Sequence, residues 1–159
     1  MNNVILSDQD VKNIFSKNLD ILISQKNWTV KQAAGELKYY RNDLAKILSG
    51  KKNFQLNTAV RIAKYFDVSV FIMFDRLFEI DHARFHYVDV DYVEIIRINF
   101  KKSYARQSNV SLDATTVSHF MNGRRNNPTI KTVYAIAEGA GISVSDLLKT
   151  KQDEEMIKN

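Results

Sequence analysis

One pattern occurs twice in this 159-residue chain and limits its fold more than any other feature. Leu48-Ser49-Gly50-Lys51-Lys52-Asn53 precedes Leu56, Thr58, Ala59, Ile62 and Ala63, and then the turn Asp67-Val68-Ser69-Val70. Met121-Asn122-Gly123-Arg124-Arg125-Asn126 precedes Ile130, Thr132, Val133, Ile136 and Ala137, and then Gly141-Ile142-Ser143-Val144. Each copy reads as the end of one helix, a glycine stop, two bases, an asparagine, an amphipathic helix and a turn ending in serine. The second copy has one extra residue, Asn127, before its helix. Self-similarity of this kind points to a duplicated architecture.

The segments around the repeat are helical in pattern too. Ser7, with Asp10 three residues on, reads as an N-cap for a helix carrying Val11, Ile14, Phe15, Leu19 and Leu22. Thr29 caps a second segment to about Leu37, and a third runs from about Tyr40 to Leu48 before Gly50. Leu56 to Phe66 is a fourth, and Val70 begins a fifth that reaches Phe78. In the second half, Val93, Ile96 and Phe100 open the corresponding series. Between the halves, Val88, Val90 and Tyr92 alternate with Asp89 and Asp91, which leaves a short strand and a helix extension both open.

A single proline and 5 glycines argue against a sandwich or barrel built on tight turns, so the expected class is all-α. The expected organisation is a unit over 1–78, an acidic connector over 79–91, a second unit over 92–150 and a frayed tail over 151–159. Charge follows the same division: net +5, −3 and +3 over the first unit, the connector and the remainder. Two basic lobes suit a polyanionic partner. The absence of cysteine excludes disulfides and thiolate metal sites and fits a reducing cytoplasm. No signal-peptide pattern opens the chain and no apolar run is long enough to span a bilayer, so a cytoplasmic protein without membrane contact is expected.

Both copies resemble the helix-turn-helix family of phage repressors and Cro-like regulators, the lambda repressor-like class. The first does so through Thr29 to Met73, including Ala34, Leu37, Leu44, Ile47, Gly50, Ile62-Ala63 and Val68-Ser69. The second does so through Thr116 to Thr129, Ala135-Ile136-Ala137 and Gly141 to Leu148. The resemblance implies two small five-helix units in tandem, double-stranded DNA as partner, and a transcriptional repressor of the kind carried by mobile elements. No cofactor or metal and no enzymatic activity are implied.

On that resemblance, the outward residues of each third helix are base-reading candidates: Tyr40, Arg41, Asn42, Asp43 and Lys46, and in the second unit Thr115, Thr116, Ser118 and His119. Arginine matches the acceptors of guanine and asparagine those of adenine. Phosphate-contact candidates are Thr29, Lys51, Lys52 and Asn53, then Asn122, Arg124, Arg125, Asn126 and Asn127. Two dissimilar third helices imply a non-palindromic site, although a homodimer through the apolar fifth helix is also open. His82 and His86 stand four apart near Asp89 and Asp91, a spacing too incomplete for a metal site. Two other roles stay in view because fold alone does not decide them: a protein-binding module such as an antitoxin or an inhibitor of a nucleic-acid-processing complex, and an accessory DNA-binding protein of plasmid transfer or replication.

Overall fold

In the computed structural model, residues 7–104, Phe120, Gly123 and 127–158 are described. Among them the chain is all-helical, with no strand. α1 spans Asp8–Gln25. Its start is the expected reciprocal cap: Ser7 N donates to Asp10 Oδ2 (3.0 Å), and Asp10 N to Ser7 Oγ (3.1 Å). α2 (Val30–Leu37) begins with a second such box, between Thr29 and Gln32, and ends on Lys38 in the left-handed conformation. α3 (Arg41–Leu48) follows after three residues, burying Leu44 and Ile47. Gly50 then turns the chain at φ +75°, and a β-carbon there would run into the Asn13 side chain. The left-handed angle favours glycine, and any larger residue would also have to displace the Asn13 side chain. α4 covers Leu56–Phe66.

The fifth segment departs from the single helix expected over 70–78. A 3-10 turn at Phe71–Phe74 stops at Asp75, which is extended, and α5 is only Phe78–Asp81. The break is braced from α1, where the buried Asn18 donates its amide to the carbonyls of Met73 (2.9 Å) and Asp75 (3.0 Å).

Neither reading of the connector survives intact. After α5 comes a 3-10 turn at His82–Arg84, then irregular chain to α6 at Tyr92–Tyr104. The irregular part is pinned at isolated points. Ser69 N donates to the Phe85 carbonyl (2.8 Å), and the Phe85 ring meets Phe71 edge-on at 4.9 Å. The Asp67 carboxylate takes Tyr87 N (3.2 Å) and lies 2.9 Å from His86 Nδ1.

α7 (Ile130–Ala140) and α8 (Val144–Leu147) complete the second half, and α9 covers Lys151–Lys158. The tail expected to fray is thus a docked helix. Thr150 and Asp153 cap it reciprocally, and the buried Asp153 also accepts from Ser69 Oγ (2.7 Å) in the first half. The capping pattern Thr-x-x-Asp was visible in the sequence but masked by the surrounding charge.

The repeat has a structural counterpart. α4 and α7 are both 11 residues long and end on left-handed caps, Asp67 at φ +52° and Gly141 at φ +71°. Gly50 and Gly123 share φ +75° and donate N–H to the carbonyls of Ile47 and Phe120, each three residues back. Asn99 on α6 repeats the work of Asn18 on α1, donating to the carbonyls of Leu147 and Lys149, both at 2.8 Å. Ser16 donates to the Ile47 carbonyl; Arg97 donates to that of Phe120, through Nε at 3.2 Å and Nη2 at 3.0 Å. One continuous apolar cluster, from Phe15 and Phe71 to Ile96 and Leu147, joins the halves.

Candidate nucleic-acid interface

α2, its left-handed exit at Lys38 and α3 form a helix pair with the inner positions Ala33, Ala34, Leu37, Leu44 and Ile47 buried. That burial rotates the opposite face of α3 outward, because side chains three and four apart share a helix face. Tyr40, which precedes the first turn of α3, is 82% exposed. Arg41, Asn42 and Lys46 are exposed beside it. Arg41 and Asn42 make no side-chain bond among the described residues and so remain open to an outside partner.

Asp43 behaves differently. It lies 3.5 Å from Lys52, both side chains partly exposed, so a base-reading candidate and a phosphate-contact candidate face each other. The pair borders a groove of about 350 Å³ between α3 and the following loop, with Tyr39, Gln55 and Thr129 also on its walls. Lys51 is exposed, and its backbone N–H donates to the Lys46 carbonyl (3.0 Å) to close the turn. Thr29 is exposed at the start of α2, where its hydroxyl oxygen accepts from Gln32 N (3.1 Å).

Two asparagines expected to touch phosphate are engaged inside the protein. Asn53 Oδ1 accepts from Lys131 N (3.0 Å) at the start of α7, and Asn127 Oδ1 accepts from Asn57 N (2.9 Å) at the start of α4. Each half therefore caps a helix of the other. Between these bonds Gln55 and Thr129 form an antiparallel bridge, through Leu56 N to Pro128 O and Ile130 N to Phe54 O, both 2.8 Å. A loop asparagine beside two bases looks the same locally whether it caps a distant helix or faces solvent.

The candidates Thr115, Thr116, Ser118, His119, Asn122, Arg124, Arg125 and Asn126 lie outside the described residues. Of their stretch, Phe120 is fully buried with the Arg97 guanidinium 5.2 Å from its ring centre, and Gly123 is exposed.

Sequence reasoning missed Lys38, exposed in the turn between α2 and α3, and Arg61, whose guanidinium stacks 4.0 Å over the Tyr39 ring. Arg61 was hidden because its α4 position falls on the repeat without a charged counterpart; Ala135 stands there in the second copy.

Among the described residues, the perturbed ionisable groups lie outside α3 and the loop after it. The bond to His86, with that from Tyr87 N, holds Asp67 below its usual value, whereas burial raises Tyr92. The Glu138 carboxylate, by accepting a hydrogen bond, pushes Tyr134 up to about 12. The two histidines of the connector have separate engagements. His82 stacks on Phe78 at 4.6 Å and its Nδ1 lies 2.8 Å from the Phe78 carbonyl, whereas His86 turns to Asp67. No group of three or more His, Asp or Glu side chains able to hold a metal occurs among the described residues. No helix among them is long and apolar enough to cross a membrane.

No family model matches the chain, and no curated protein or solved structure is significantly similar to it.

Proposed function

We propose that the chain is a non-catalytic, sequence-specific binder of double-stranded DNA, acting as a transcriptional repressor in the cytoplasm. In this reading α2 and α3 are the helix-turn-helix of the first unit, and the corresponding stretch ending at Phe120 and Gly123 belongs to the second. The observation that carries the reading is the outer face of α3. Arg41, Asn42 and Lys46 stand exposed on a helix whose inner face is locked by Leu44 and Ile47, with Lys51 just beyond its end. A rigid helix offering donors from its first turns and a cation at its exit suits base edges and phosphates respectively. The net charge of +5 suits the same partner.

The test is selection of duplexes from a random pool at low salt, followed by titration of the retained sequence. Arg41→Ala is expected to weaken binding about 10- to 100-fold and to relax preference at one base pair. Lys51→Ala is expected to reduce the slope of log K against log salt by about 0.9, with base preference intact. A pool from which nothing is enriched refutes the reading.

A further inference from the structure

The last helix is held by hydrogen bonds rather than by apolar burial. α9 (Lys151–Lys158) buries one residue, Asp153. Its large apolar side chains, Met156 and Ile157, stay 38% and 48% exposed. The repeat shows what is missing: counting from the matched turns, Gln152 stands where α5 has Phe78. Phe78 is fully buried and Gln152 is exposed. Open space also flanks α9 on two faces. A crevice of about 90 Å³ runs between Phe85, Tyr87, Gln152 and Met156, and a groove of about 470 Å³ between Lys102, Ile142, Ile157 and Lys158.

The buried carboxylate of Asp153 accepts three hydrogen bonds. Two come from Thr150, through N and Oγ1, both at 2.9 Å, and cap α9 itself. The third comes from Ser69 Oγ (2.7 Å), 84 residues earlier in the first half. Ser69 and Ser143 hold the same place in the two copies, but their hydroxyls serve different ends. Ser143 Oγ accepts from Asp146 N (3.0 Å) and caps α8. Ser69 leaves the 3-10 turn at Phe71–Phe74 without a side-chain cap and reaches α9 instead. Its backbone N–H meanwhile holds the connector at the Phe85 carbonyl (2.8 Å), and Arg84 Nη2 donates to the Met156 carbonyl (3.1 Å). The turn after α4, the connector and α9 therefore meet at Ser69.

We infer that α9 is a releasable strap, latched by the Ser69–Asp153 hydrogen bond, which opens as one unit and frees the connector at Arg84 to Tyr87 while the two halves stay joined. Elements with few buried apolar contacts open at low free energy, ahead of global unfolding. An 8-residue helix does not persist alone in water, so leaving the surface and losing the helix are one event. The halves stay joined because the apolar cluster they share contains no residue of α9. The connector's grip on the first half thus depends on the last helix, whatever the chain binds.

The test is native-state hydrogen exchange of the full chain, followed amide by amide at low denaturant concentrations. Two amides report on the connector: that of residue 69, bonded to Phe85 O, and that of residue 87, bonded to Asp67. These and the amides of α9 are expected to share one opening that responds little to denaturant. After correction for intrinsic rates, they should exchange at least about 100-fold faster than the amides of α1 and α4. Ser69→Ala should speed α9 and both connector amides by a common factor of about 10-fold or more, as loss of a hydrogen bond to a carboxylate implies. Should that buried substitution unfold the chain, Arg84→Ala, at an exposed site, should speed the same amides about twofold or more. Exchange of α9 only through global unfolding overturns the strap. Fast exchange confined to α9, with residues 69 and 87 protected like α1, also overturns it, because a fraying end does the same. Rates unmoved by the substitution overturn the latch.

Discussion

The two halves of the molecule agree where they hold themselves together and differ where they face outward. Asn18 and Asn99 draw two carbonyls each from matching positions, Met73 with Asp75 and Leu147 with Lys149. Ile47 and Phe120 fill matching positions in the core and offer their carbonyls to α1 and α6 respectively. On the surface the correspondence ends. Trp28, Tyr65 and Phe66 form an aromatic group on the first half, with Tyr65 bonded to Glu36 (3.0 Å). The α7 residues that match Tyr65 and Phe66 are Gly139 and Ala140, both buried, so the face that α4 leaves partly open is covered on α7. Buried polar contacts tolerate little change because an abandoned carbonyl costs free energy, whereas an exposed residue is released from that constraint.

The largest expected effect tests whether the frames are equivalent. Ile47→Ala should destabilise the chain by about 2–5 kcal/mol and Phe120→Ala by about 3–5 kcal/mol, from lost burial and the cavity left behind. Because one apolar cluster spans both halves, chemical denaturation should give a single transition in each variant. Two separated transitions would mean that the halves fold apart and that the shared core contributes little.

Next in size are the paired asparagines. Asn18→Ala and Asn99→Ala each remove a buried amide that serves two carbonyls at 3.0 Å or less (Asn99 also reaches the Asp146 carbonyl at 3.4 Å), and should cost about 1–3 kcal/mol apiece. Similar losses in the two variants are the expected result of urea unfolding. A neutral Asn99→Ala beside a costly Asn18→Ala would show that only the first half needs its brace. Ser16→Ala and Arg97→Ala form a smaller version of the same comparison. The arginine should cost more, since it makes two charge-assisted bonds to the Phe120 carbonyl where the serine makes one neutral bond.

How much of this the sequence shows depends on the range of the interaction. Caps at Ser7 and Thr29, the stop at Gly50 and the burial of Leu44 and Ile47 were all legible, since each follows from residues within one or two turns. The asparagine braces were not. Their partners lie 55 and 57 residues away for Asn18, 48 and 50 for Asn99, and a lone asparagine in a helix carries no local mark of them. The candidate interface divided in the same way. Arg41, Asn42 and Lys46 are exposed as helix phase predicts and Lys51 is exposed in the loop beyond, whereas the phosphate-contact candidates Asn53 and Asn127 carry a second, long-range role as caps that no local pattern shows.

The smallest effect concerns the ends of α4 and α7. Asp67 and Gly141 hold the same left-handed position, but only Asp67 carries a charge, and its carboxylate ties the connector through His86 and Tyr87. Its value is lowered from 3.8, first by the bond with His86 and then by that from Tyr87 N. A depressed carboxylate stabilises the fold above its unfolded value and loses that contribution as pH falls through its folded value. The acid limb of a melting-temperature profile below about pH 4 should therefore be less steep in Asp67→Asn than in the parent chain. Added salt should narrow the difference, because the Asp67–His86 pair is exposed and screened. No such limb can come from Gly141, so an acid response unchanged by Asp67→Asn would place its origin in other carboxylates.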